Sequence, residues 1–85
     1  MDWEKIGEIT HYFSKIGVAV VRLENNLATG DWVAFVRGEE LLFEQEVVSM
    51  QIDYREVEAA TAGQIVALQT AQKVKVGAEV YKAVG

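Results

Sequence analysis

Residues 27–38, "LATGDWVAFVRG", decide how the chain is read. They form a turn that feeds a strand. Gly30 tolerates the positive φ of a tight turn without Cβ strain, Asp31 is a turn former, and residues 32–37 are dominated by aromatic and β-branched side chains. Val33 and Phe35 fall on one face, with Trp32, Ala34 and Val36 on the other. Both faces are apolar, which predicts a central strand or one wrapped by barrel curvature. The same Gly-x-x-Val spacing returns as "GQIV" from Gly63 and "GAEV" from Gly77, each where a loop enters a strand. Three such corners predict that Gly30, Asp31, Gly63 and Gly77 are structural turn residues. A phosphate cradle would instead cluster its glycines at a helix start.

Working outward, "KIGEITHYF" (5–13) and "IGVAVVRL" (16–23) read as a hairpin or a sharply bent pair. Residues 24–31 are polar and read as a loop. In "LLFEQEVVSMQI" (41–52) the apolar parity switches, from Phe43 and Val47 to Val48, Met50 and Ile52, which predicts a bulge or bend near Val47 and Val48. "DYREVEAATAG" (53–63) reads as an extended loop with at most one helical turn. Residues 64–70 and 78–84 supply the last strands. The class is all-β: one domain over residues 1–85, predicted as a small closed antiparallel β-barrel of roughly six strands, because closure removes exposed edges.

The 85 residues contain no cysteine and no proline, and their formal net charge is −5. A disulfide framework, a thiolate metal site and a cysteine nucleophile are therefore excluded. The negative field opposes non-specific nucleic-acid binding. The acidic start "MDWEKIGEIT" is unlike a secretory signal, and no apolar run approaches the roughly 20 residues of a membrane helix, so a cytoplasmic protein without membrane contact is expected.

In register along the chain, "IGEITHYF", "ATGDWVAFVRG", "EVVSMQI", "AATAGQIVAL" and "VKVGAEVYKAV" resemble the second-domain β-barrel of GTP-dependent translation elongation and initiation factors. The likeness covers nearly the whole chain. It is similar above all to small stand-alone translation factor-like proteins and to the barrel appended to U32-family peptidase-like proteins. The resemblance implies a non-enzymatic module that binds tRNA or another RNA, or a protein partner such as a U32-type enzyme. Its tRNA-end pocket would fall around Gln51 and Leu68, with Gln51 where tRNA-binding members carry Glu and Ala67 in place of a glycine. No Gly-x-x-x-x-Gly-Lys-Ser/Thr loop is present, so no GTP binding is expected.

No catalytic constellation emerges from the residues. His11 is the one histidine, and a lone imidazole could act as a general base. A small enzyme using His11 with nearby carboxylates is therefore the rival reading, set against the commoner case of an exposed or packed strand histidine. Glu44 and Glu46 share a strand face, and with Glu39 and Glu40 they read as solvated surface, so no metal or cofactor is expected. Lys73, Lys75 and Lys82, with Tyr81 among them, form a candidate phosphate and stacking surface. Trp3 and Trp32 are expected to pack in the core or at a barrel end.

Overall fold

Each glycine corner closes as a type II β-turn. In the computed structural model, which describes residues 2–85, φ is 93° at Gly30, 91° at Gly63 and 89° at Gly77. The next amide returns to the carbonyl three residues back: Asp31 to Ala28 at 3.1 Å, Gln64 to Thr61 at 3.2 Å and Ala78 to Lys75 at 3.1 Å. Asp53 and Tyr54 are the non-glycine residues with positive φ, so the residue before each corner glycine has the negative φ that type II requires. Two corners also carry a side-chain clamp. Asp31 Oδ2 accepts the Ala28 amide at 2.9 Å and Gln64 Oε1 accepts the Thr61 amide at 2.8 Å.

The strands are β1 (Asp2–Phe13), β2 (Val18–Leu23), β3 (Leu27–Ala28), β4 (Trp32–Arg37), β5 (Glu40–Glu46), β6 (Met50–Ile52), β7 (Arg55–Val57), β8 (Ala59–Ala60), β9 (Ile65–Gln69) and β10 (Glu79–Val84). One sheet runs β5-β4-β10-β1-β2-β9-β6-β7, and β3 pairs separately with β8. Every pairing is antiparallel.

The turns fix how these strands pair. Gly30 donates to the Val47 carbonyl and the Val47 amide to the Asp31 carbonyl, both at 2.8 Å. Gly63 and Gln64 hold Leu23 in the same way at 2.9 Å and 2.9 Å, and Gly77 and Ala78 hold Ile9 at 2.9 Å and 2.8 Å. Each exchange is the first rung of a ladder. The next pairs are Trp32 with Glu46, Ile65 with Arg22 and Glu79 with Glu8. Val33, Val66 and Val80, each three residues after its glycine, then point into the core.

All-β and antiparallel architecture is as expected, but the ladder is open and has more strands than six. β5 and β7 end the eight-stranded order. The sheet nevertheless rolls until β5 approaches the end of β9. There the Gln45 side chain donates to the Gln69 carbonyl at 2.8 Å and accepts the Ala71 amide at 2.7 Å. A side-chain amide thus spans the place where a closed barrel would have a ladder.

Two local expectations also change. The parity switch at Val47 and Val48 is not a bulge within one strand: the chain leaves β5 and re-enters the sheet as β6, six places away in the strand order. No helical turn forms in residues 53–63. Instead Asp53 and Tyr54, at φ 50° and 65°, make a two-residue hairpin between Ile52 and Arg55. Positive φ at both central residues is the type I′ pattern, which matches the strand twist.

The interior is one apolar cluster around Phe35, Ile6, Ile9, Leu23, Met50 and Leu68, with no buried polar residue among those described. Phe35 and Phe43 stack at 4.6 Å between ring centroids. Their contact is followed by a register shift in the β4–β5 pairing. β1 shifts register twice, which bends it so that its first half pairs with β10 and its second with β2. Gly7 permits that crossing, since a Cβ there would lie 2.5 Å from the Arg22 carbonyl oxygen.

At Gly30, Gly63 and Gly77 a Cβ would meet nothing within 4 Å, so a substitution acts through φ alone. Alanine at each is expected to cost a similar amount, about 1–2 kcal/mol, the scale of a non-glycine residue held at positive φ. Gly7→Ala should cost more, because backbone must move. Urea unfolding of the four variants checks this, and three unequal or absent losses at the corners would contradict it.

Candidate functional site

The register of β1, β10, β4 and β5 arranges their outward side chains in rows. Lys5 pairs with Tyr81, Tyr81 with Ala34 and Ala34 with Glu44. The neighbouring row runs Glu8, Glu79, Val36 and Leu41. Trp32 stands opposite Glu46, and Trp3 lies two residues before Lys5 on the same face of β1.

This face is apolar in the middle and acidic around it. Trp3 is 42% exposed, Trp32 44% and Leu41 53%. Ala34 is 4% exposed although it lies outside the core cluster, so its cover comes from side chains of this outer face. The small Ala34 between larger neighbours leaves a hollow of about 320 Å³, lined by Trp3, Ala34, Val36, Leu41, Glu44 and Tyr81. Walls on β10 and β5 are separated by the width of β4, which is about 10 Å between backbones. That gap admits one side chain or one extended segment.

Three carboxylates gather on Lys5: Glu8 at 3.1 Å, Glu79 at 3.1 Å and Glu24 at 3.5 Å. Hydrogen bonds to Glu8 and Glu79, reinforced by the charge of Glu24, hold the lysine pKa well above its ordinary value. Tyr81 donates its hydroxyl to Glu79 at 3.2 Å, and partial burial followed by the Glu79 charge pushes its pKa up. The Trp32 indole N–H donates to Glu44 Oε1, which fixes the ring against the β5 wall. Among the described residues, no cation forms an ion pair with Glu44 or Glu46.

The residues singled out from the sequence are not brought together. Leu68 is 1% exposed, packed in the core beside Met50, whereas Gln51 is exposed on β6 with the opposite parity. Lys73 and Lys75 are exposed on the β9–β10 connection. Tyr81 lies in the outer hollow, but its neighbour Lys82 shares the face of Val80 and donates to the Asn26 carbonyl at 2.8 Å. His11 is exposed and stacks on Phe13 at 6.4 Å between ring centroids. Gly30, Gly63 and Gly77 lie within the type II turns, and Asp31 closes the first of them.

Trp3 and Trp32 differ from expectation: they line the outer face and are absent from the core. Sequence parity did place Trp32 opposite in sense to Val33 and Phe35. It carried no signal that Trp3, three strands earlier in the chain on β1, would join it. A second, larger hollow of about 380 Å³, near Thr29, Ser49, Glu56 and Glu58, is lined mainly by polar surface. No group of three or more potential metal ligands occurs among the described residues, and no helix is long and apolar enough to cross a membrane.

No protein-family model matches the chain. It is 31% identical over 77 residues to an uncharacterized protease of Methanocaldococcus jannaschii, a match covering 91% of this chain and 19% of that protein. The chain thus spans about a fifth of that relative's length. It also superposes on the crystal structure of the C-terminal domain of a Geobacillus thermoleovorans protein assigned to the U32 peptidases. The TM-score is 0.86 at 26% identity, over 95% of this chain and 93% of that domain. The selenomethionine variant of the domain gives 0.83 at 26% identity, over 91% and 96%. These relatives support the U32-type half of the resemblance and not its translation-factor half.

Lys5 and Tyr81 both hold their protons more tightly in the folded chain. Stability from a raised pKa is complete below the unfolded value, about pH 10 for these groups, and is lost as pH rises through the folded value. Thermal melting is therefore expected to fall above about pH 10, and less steeply in Tyr81→Phe, which has no phenol to ionise. Equal alkaline slopes in the two proteins would contradict the Tyr81 contribution.

Proposed function

We propose that this chain is a non-enzymatic β-domain that serves a U32-type peptidase, docking on it through the outer face of β1, β10, β4 and β5. The observation that carries this reading is the likeness to a U32 peptidase C-terminal domain at a TM-score of 0.86 over 95% of the chain. The identity to a protease of which the chain spans only 19% adds that such a domain accompanies a much larger remainder. The face itself supplies what docking needs: a rigid sheet, exposed tryptophans and a small-residue floor.

Tagging the chain in its source cell and identifying what is retained tests this directly. A U32-type peptidase sequence is expected in stoichiometric amount, either bound to the tagged chain or continuous with it on one polypeptide. Recovery of the chain alone would overturn the reading. Salt-sensitive binding to deacylated or aminoacylated tRNA, without the peptidase, would favour the nucleic-acid role that the translation-factor motifs imply.

A further inference from the structure

We infer that the outer hollow is an arginine clamp, taking an arginine side chain flanked by apolar residues from the partner protein. This rests on the docking role above for the partner's identity, but its chemistry is read from the face itself. Ala34 and Val36 form an apolar floor, Trp3 and Tyr81 one wall, and Leu41 and Glu44 the other. A guanidinium is planar, weakly hydrated and carries an aliphatic stem, so it stacks on indole and phenol rings while its stem covers apolar surface.

Charge selects the occupant. Glu44 and Glu46 lie on the β5 side of the face with no ion-pair partner among the described residues, whereas the Glu79 carboxylate is engaged by Lys5 and Tyr81. Glu44 gives one oxygen to the Trp32 indole, leaving the other for an incoming donor. A guanidinium between the aromatic wall and Glu44 would meet the unpaired carboxylate and the ring faces together. A second copy of this chain is a poor occupant, because each copy brings a net charge of −5. An acidic or uncharged segment leaves the carboxylates unanswered.

The chain has two tryptophans, Trp3 and Trp32, so its intrinsic indole fluorescence reports on this face alone. The probe is a blocked Leu-Arg-Leu peptide, compared with the same peptide carrying lysine or citrulline in place of arginine. The arginine peptide is expected to change tryptophan emission saturably, with a Kd on the order of millimolar for so small a ligand. Lysine should bind about threefold more weakly and citrulline at least about tenfold more weakly, since citrulline keeps the shape but loses the charge.

In Glu44→Gln, which keeps an acceptor for Trp32, the arginine preference over citrulline should collapse while thermal melting is unchanged. Tyr81→Leu should weaken the arginine peptide at least about threefold. Equal binding of arginine and citrulline peptides, no emission change up to about 20 mM, or a self-associated dimer that excludes the peptide would each overturn the clamp. The two readings fail separately. Peptidase co-purification unaffected by Glu44→Gln removes the clamp and leaves the docking role. Arginine-selective binding without any retained peptidase removes the docking role and leaves the clamp.

Discussion

Three paired backbone exchanges hold this fold in register: Gly30 and Asp31 with Val47, Gly63 and Gln64 with Leu23, and Gly77 and Ala78 with Ile9. In each, a type II turn presents two consecutive backbone groups to one residue of a neighbouring segment. The strand that follows then continues the ladder already begun. β4 is placed on β5, β9 on β2 and β10 on β1 by the same device. Register matters because a slip of one residue would exchange the two faces of a strand. Val33, Val66 and Val80 would leave the core, and the residues of the outer face would enter it.

A sheet fixed in this way can afford an outer face that is not merely solvated. The apolar interior is filled by Phe35, Ile6, Ile9 and their neighbours, so Trp3, Trp32 and Leu41 are free of packing duty. Trp3 and Leu41, with Tyr81 and Glu44, stand around Ala34 and form a hollow whose walls rise from three different strands. Rigid strands position such a surface better than loops would. The acidic surround follows from the same register, because Glu44, Glu46 and Glu79 all share the outward parity. The proposed docking role is then a property of one sheet face, in keeping with the general separation of fold from site.

The corners were legible in the sequence because they are local: a glycine, the residue after it and a valine at fixed spacing suffice. That β4 is paired on both sides was legible in its two apolar faces, although the outer one, with Trp32, is left open. What escaped was non-local or unconventional. A parity switch looks the same whether a strand bulges or the chain departs, and only the partner of Met50 and Gln51 on β9 shows that it departs. The β6–β7 hairpin lacks the Asn-Gly or Asp-Gly pair that would announce it, using Asp53 and Tyr54 instead. Gln45 is unremarkable in sequence, yet it spans the open side of the rolled sheet. The outer hollow depends on β1, β4, β5 and β10 meeting, and no spacing in the chain records that meeting.

Native-state hydrogen exchange gives the most direct measure of the turn exchanges. The amides of Gly30, Gly63, Gly77, Ile9, Leu23 and Val47 each donate one of the six bonds. If these bonds set the register of the sheet, all six amides exchange only through global unfolding, with the same free energy as urea denaturation reports. Exchange of these amides at a lower free energy, while the strand interiors stay protected, would show that the ladders hold their register without the turns.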